Sequence, residues 1–182
     1  MPRIHPVDPA TATGPAKALL DGAQQQLGMV PNMMRTMANQ PAALNAYLSI
    51  WGALAQGSFD APTREAIALA VSGANACGYC ASAHSAFSHS LKVDPGEIVA
   101  RLAGRSADPK LQAALTFTRA VVAKRGEVSD ADLAAIRHAG YDDGAIVEIV
   151  AHVAGNIMAN YLDHIAKIDI DFPVVTVSRP TP

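Results

Sequence analysis

Cysteine is scarce in this chain, and so is charge. Two of its 182 residues are cysteine, 16% are charged, 5% are aromatic and one is tryptophan. Two thiols cannot build the disulfide framework on which small secreted domains depend. A formal net charge of -2 leaves no basic footprint for nucleic acid or an anionic membrane surface, and neither is expected as a partner. No run offers the ~20 uninterrupted apolar residues of a membrane-spanning helix. The opening Met1-Pro2-Arg3-Ile4-His5-Pro6 lacks the apolar centre of a secretory signal. The expected location is the cytoplasm. Strand pairs joined by a hairpin turn are missing as well, which excludes a sheet-based fold.

Apolar residues fill half of the sequence, and many of them are alanine, which favours helices and lets them approach closely. One domain spanning residues 1–182 is expected. Prolines at 2, 6 and 9 make residues 1–14 an irregular arm. Helix signals then recur. Pro15 opens a helix that Gly28 ends. Met33, Met34 and Met37 mark a short helical piece suited to filling gaps in a core, with Met33 and Met37 also placed to line an apolar entrance. Leu44, Tyr47, Leu48, Trp51 and Leu54 form a stripe at three- and four-residue intervals.

Further starts follow at Asp60-Ala61-Pro62, at Asp94-Pro95-Gly96-Glu97 with Glu97 placed for a capping box, at Asp108-Pro109, at Ser129 and at Asp142-Asp143. The reading is an all-α, compact bundle of about eight helices. Residues 168–182 alternate apolar and polar residues and predict an extended tail lying on its own or a neighbouring subunit. The last long helix carries His152, Asn156, Asn160 and His164 at four-residue spacing. If buried, that stripe must find partners, at a subunit interface or behind the site.

Both cysteines fall in one Cys-x-x-Cys unit, Cys77 to Cys80, with His84 four residues on and Glu65 twelve residues before Cys77. In a reducing compartment this spacing points to redox or metal chemistry. On one helix Cys77, Cys80 and His84 fall within an arc of about 60°, and a helix starting at Cys77 would favour a thiolate there. In a straight helix Glu65 lies about 18 Å from Cys77, so it can join them only if the chain breaks at Ser72-Gly73-Ala74-Asn75.

With that break, Glu65 can orient His84, His84 can take the proton of Cys80, and the Cys80 thiolate can attack a hydroperoxide. Cys77 then condenses with the resulting sulfenic acid, and an external dithiol reduces the disulfide. The helix dipole argues for the reverse assignment of the two cysteines, and the adjacent histidine argues for Cys80. The metal reading takes Cys77, Cys80 and His84 as ligands with His89 or Glu65 as the fourth, although structural zinc sites ordinarily have wider loop spacing. Tyr79 and Trp51 read as packing residues, with Tyr79 close enough to touch substrate.

The pattern Glu65, eleven residues, Cys77, two residues, Cys80, three residues, His84 resembles the motif of the alkylhydroperoxidase D (AhpD-like) family, within the carboxymuconolactone decarboxylase superfamily of small helical proteins. Residues 60–100, the expected redox core, carry the closest likeness. Gly28-Met29-Val30-Pro31-Asn32 and the stretch from Ser129 to Lys167 resemble its longer, peroxidase-related branch. The best-known members have a histidine where this chain has Tyr79.

The resemblance implies a thiol-dependent hydroperoxidase with Cys80, Cys77, His84 and Glu65 as catalytic residues and no prosthetic group. It also implies a homo-oligomer: dimer, trimer or hexamer. The expected partners are a hydroperoxide substrate and a dithiol, thioredoxin-like or lipoyl-bearing reductant protein. The alternatives are a carboxymuconolactone decarboxylase-like lactone enzyme and a non-catalytic redox sensor or scaffold with a switchable disulfide.

Overall fold

A computed structural model describes residues 1–178. Those residues form nine α-helices and no strand, one helix more than the eight expected: α1 Gly14–Leu27, α2 Asn32–Met37, α3 Pro41–Leu54, α4 Ala61–Ala74, α5 Gly78–Ser90, α6 Pro95–Leu102, α7 Pro109–Ala123, α8 Asp130–His138 and α9 Asp143–Ala166. The sequence signals place most of the starts. Asp60 accepts a hydrogen bond from the Thr63 amide, Asp108 from Lys110, and Asp142 from Ala145. Each satisfies an amide that the first helical turn leaves free. Ser129 and Asp132 form a reciprocal capping box at α8.

The box expected at α6 is absent. Asp94 alone caps that helix, while the Glu97 carboxylate reaches forward to the Ser106 hydroxyl at 3.0 Å and the Ala107 amide at 2.9 Å. Glu97 therefore fastens the loop into α7 rather than the start of its own helix.

Helix α4 is the axis of the molecule, packed against α5, α6, α7 and α9. Ala66 through Ser72 are all buried, so this helix has no solvent face over that stretch. Its alanines keep the neighbouring helices close, and Ile67, Leu69 and Val71 supply bulk. Gly73 lets α6 end against it: a Cβ there would lie 1.9 Å from the carbonyl oxygen of Leu102. Two apolar clusters flank this axis. One joins Ile67 and Val71 to Phe117, Val121, Ile136 and Ile149. The other gathers Leu20, Met33, Met37, Leu44 and Tyr47 around Cys77 and Cys80, so the thiols lie within packed core.

Both termini strap this second cluster. The Arg3 amide donates to the Ala166 carbonyl and the Val7 amide to the Arg35 carbonyl. The C-terminal segment leaves α9 at Lys167, which has a left-handed backbone, and runs back over α5 without regular structure. Ile168 is buried, and Ile170 and Phe172 pack on the cluster. The Val175 amide donates to the Ser82 hydroxyl at 2.9 Å. The tail thus lies on its own chain; residues 179–182 of the expected stretch are outside the described residues.

Gly73→Ala should destabilise the fold by on the order of 1–3 kcal/mol, because the new methyl meets backbone that cannot rotate away. A thermal-unfolding midpoint equal to the wild type's would show that α6 can move off α4 without cost.

Candidate active site

The chain reverses direction between α4 and α5, and the reversal brings Glu65 to His84. Ala76 adopts the left-handed conformation at φ 51°. Its amide donates to the Gly73 carbonyl at 3.3 Å, and the Cys77 amide donates to the Ser72 carbonyl at 3.0 Å. These two bonds are those of a Schellman motif, which closes a helix by satisfying its last carbonyls. The expected break is therefore present, one residue later than the sequence indicated. Ser72, Gly73 and Ala74 remain helical, and the turning residue is an alanine, where glycine is the usual choice.

Helix α5 starts at Gly78, so Cys77 stands just outside it as the capping residue. Its sulfur accepts a hydrogen bond from the Cys80 amide at 3.2 Å. Both cysteines are reduced and buried. Across the α4–α5 reversal, His84 Nδ1 meets Glu65 Oε2 at 2.8 Å. His89, on another face, is exposed.

Helix α9 supplies the opposite wall. The polar stripe expected at an interface or behind the site lies inside the chain: His152, Asn156 and Asn160 are buried. Asn156 bears on His84. Asn160 bears on Cys80 and accepts a hydrogen bond from the Asn75 side chain at 2.8 Å. His152 stacks beside Trp51 and Phe59, away from the sulfurs.

One important residue was missed in the sequence. Asp163 Oδ2 lies 3.3 Å from the Cys77 sulfur, placed to accept its thiol proton. Its position beside His164 in the polar stripe was the available signal.

Electrostatics separates the two thiols. The hydrogen bond to Cys80, then burial, then repulsion from Cys80 and Asp163 push Cys77 far above the ordinary thiol range. The bond from Cys77 draws Cys80 below that range; burial opposes it, while the His84 charge and Asn160 assist. Burial by itself would depress His84, but the charge and hydrogen bond of Glu65, followed by Cys80, hold it above the ordinary imidazole value. Both shifts run in the direction that favours a thiolate at Cys80 beside a protonated His84.

Among the described residues, the ligand group Cys77, Cys80, His84 with His89 or Glu65 does not assemble. Cys77 gathers instead with Asp163 and His164, their polar atoms within 4.8 Å of one another. We read this second trio as a hydrogen-bonded group around one thiol, because Asp163 already accepts from the sulfur.

Tyr79 is a structural hub. Its hydroxyl donates to Asp171 at 2.8 Å and accepts from the Met33 amide at 3.1 Å, tying α5 to α2 and the tail. Burial pushes its pKa up, with the bond to Asp171 adding to the shift. Beside it opens a mainly apolar cleft of about 400 Å³, its mouth included, lined in part by Met33, Met34, Phe87, Phe172, Cys80 and His84. Met37 is core and takes no part in the cleft. Glu65 and His84 also border a larger trough of about 1370 Å³, open to solvent, between α1 and α3.

Residues 41–123, which contain this site apart from α2, α9 and the tail, match the profile of the Carboxymuconolactone decarboxylase family. A peroxidase-related protein with an alkylhydroperoxidase AhpD core from Ralstonia eutropha JMP134 superposes with a TM-score of 0.84 at 26% identity, covering 93% of this chain and 92% of that one. A peroxidase-related protein from Silicibacter sp. TM1040 gives 0.78 at 25% identity, with 92% of both chains covered. The debrominase Bmp8, solved with 2,3,4-tribromopyrrole, shares the fold at 21% identity with a TM-score of 0.79, over 93% of this chain and 91% of its own. The sequence has no significant match among curated proteins. The fold is AhpD-like, and its central segment resembles the carboxymuconolactone decarboxylase family. That likeness supports a peroxidase-related or lactone-decarboxylase-like function.

Glu65→Gln should lower the His84 pKa by about one unit, since a full charge is replaced by a neutral amide at hydrogen-bond distance. Because the folded His84 pKa is raised, the ion pair stabilises the fold below the unfolded-state value, and the benefit fades as pH rises through the folded one. An NMR titration of the imidazole with no change between wild type and variant would remove Glu65 from the relay.

Proposed function

We propose that the protein is a thiol-dependent hydroperoxide reductase, and the observation that carries this reading is the Glu65–His84 contact on the cleft that Cys80 also lines, with Cys77 bonded to the Cys80 amide. The Cys80 thiolate attacks the distal oxygen of a hydroperoxide, the O–O bond breaks, and the departing alkoxide takes its proton from the His84 imidazolium. Cys80 is now a sulfenic acid. The Cys77 sulfur displaces its hydroxyl as water, giving the Cys77–Cys80 disulfide. An external dithiol reduces that bond by exchange, so one hydroperoxide and one dithiol yield an alcohol, water and an oxidised dithiol. No metal or organic cofactor enters these steps.

The cleft supports an organic hydroperoxide, since its apolar walls suit a hydrocarbon body. The natural reductant in this reading is a protein dithiol of thioredoxin-like or lipoyl type. A lactone decarboxylase would leave both sulfurs unemployed. A redox sensor would form the disulfide once without turning over.

Wild type should consume an organic hydroperoxide over many turnovers with a dithiol, and Cys80→Ser should abolish this. In Cys77→Ser a sulfenic acid should persist at Cys80, visible as one added oxygen by mass spectrometry. Thiols unchanged after one equivalent of hydroperoxide would sink the reading.

The same reading includes self-association. Val147, Val150, Tyr161 and Ile165 are exposed along one side of α9, at 69%, 45%, 57% and 61%. An apolar stripe of that length is commonly covered by a second chain. Tyr161→Asp should shift the protein to a smaller species in light scattering coupled to size exclusion; a monomeric wild type would defeat the expectation.

A further inference from the structure

The geometry around Cys77 conflicts with the ordinary behaviour of a Cys-x-x-Cys unit. Its sulfur caps α5 and accepts the Cys80 amide, and a cysteine at the positive end of a helix ordinarily becomes the thiolate. By backbone position, Cys77 should be the nucleophile. The side chains of α9 reverse this. Asp163 presents a carboxylate oxygen to the Cys77 sulfur at 3.3 Å. A carboxylate accepts a hydrogen bond from a thiol and repels a thiolate. Cys80 meets the His84 ring and the Asn160 amide, which favour its thiolate more than the Asp163 charge opposes it.

Asp163 is fixed in this position. It lies in the last turn of α9, where its carbonyl receives the Lys167 amide at 2.8 Å, and Asn160, one turn earlier, is pinned by Asn75. The other titratable groups around Cys77 are Cys80 on its own side, His164 on α9 and Tyr47 on α3. The turn from α4 brings it the Ser72 carbonyl, and the nearby tail acid, Asp171, is engaged by Tyr79 and the Asn32 amide.

We propose that Asp163 assigns the two sulfurs their roles: it keeps Cys77 as the thiol, leaves Cys80 as the attacking thiolate, and takes the Cys77 proton when the disulfide closes. The proposal rests on the redox reading above and adds a residue to it. In the closing step the Cys77 proton passes to the Asp163 carboxylate, the Cys77 sulfur bonds to Cys80, and the Cys80 sulfur–oxygen bond breaks. The departing hydroxide leaves as water with the proton that Asp163 received. Asp163 touches a reacting atom at 3.3 Å and returns to its starting state after each cycle.

The test does not need peroxidase activity. In Cys80→Ser the remaining thiol is Cys77, and its ionisation is followed by the ultraviolet absorbance of the thiolate, which requires no reagent to enter the core. With Asp163 present, ionisation should begin above the ordinary thiol value of about 8.5. In Cys80→Ser with Asp163→Asn, the midpoint should fall by at least about one pH unit, a tenfold rise in acidity. Asp163→Glu in the same background should restore most of the elevation.

A midpoint unchanged by Asp163→Asn, in protein with wild-type circular dichroism, overturns the proposal. So does a Cys80→Ser titration at or below the ordinary thiol value, which decides the matter even if the double variant does not fold. On the native cysteine pair, Asp163→Asn should also raise the fraction of sulfenic acid trapped after one equivalent of hydroperoxide. If wild type consumes no hydroperoxide, the function proposed above fails while the titrations still decide the role of Asp163.

Discussion

A left-handed residue at position 76 turns a long sequence separation into contact. Without that reversal, α4 and α5 would continue as one rod, and Glu65 would stand about 18 Å from Cys77. With it, α5 folds back along α4 and the carboxylate meets the imidazole at 2.8 Å. The burial of α4 depends on the same turn, because α5 covers one of its sides while α6, α7 and α9 cover others. The packing of α4 and the Glu65–His84 contact therefore share one backbone feature.

Charge in a partly desolvated site is costly unless it is paired. Here the Glu65 carboxylate raises the pKa of His84, and the bond from Cys77 together with the His84 charge lowers that of Cys80. Cys77, beside Cys80 and Asp163, is pushed the other way, toward its neutral form. Asn156 and Asn160 add dipoles to the wall without adding charge. The site thus pushes the acidities of two chemically identical groups in opposite directions within one helical turn.

Much of this was legible in the sequence. Helix identity, most caps and the four-residue motif follow from local rules, since capping and helical spacing depend on neighbours a few positions away. The need for a break between Glu65 and Cys77 also followed, from helix rise alone. Its position was misplaced by one residue because Gly73 resembles a helix stop. That glycine instead serves the close approach of Leu102, a contact that sequence spacing does not reveal. Glu97 was misassigned for the same kind of reason: its partners Ser106 and Ala107 lie across a loop. Asp163 escaped notice because its contact with Cys77 spans 86 positions. Tyr79 was left ambiguous because its partner sits in the tail.

The attachment of that tail has a consequence for how the protein is made. Tyr79 bonds to Asp171 across 92 positions, and the Asn32 amide bonds to the same carboxylate across 139. At ordinary translation speeds, roughly 5–20 s pass between synthesis of the cysteine helix and synthesis of the residue that fastens α2 over it. For most of that interval the nascent chain also lacks α9, and with it the wall that covers the sulfurs. Cys77, Cys80, His84 and Glu65 are thus all synthesised well before the enclosure that shelters them.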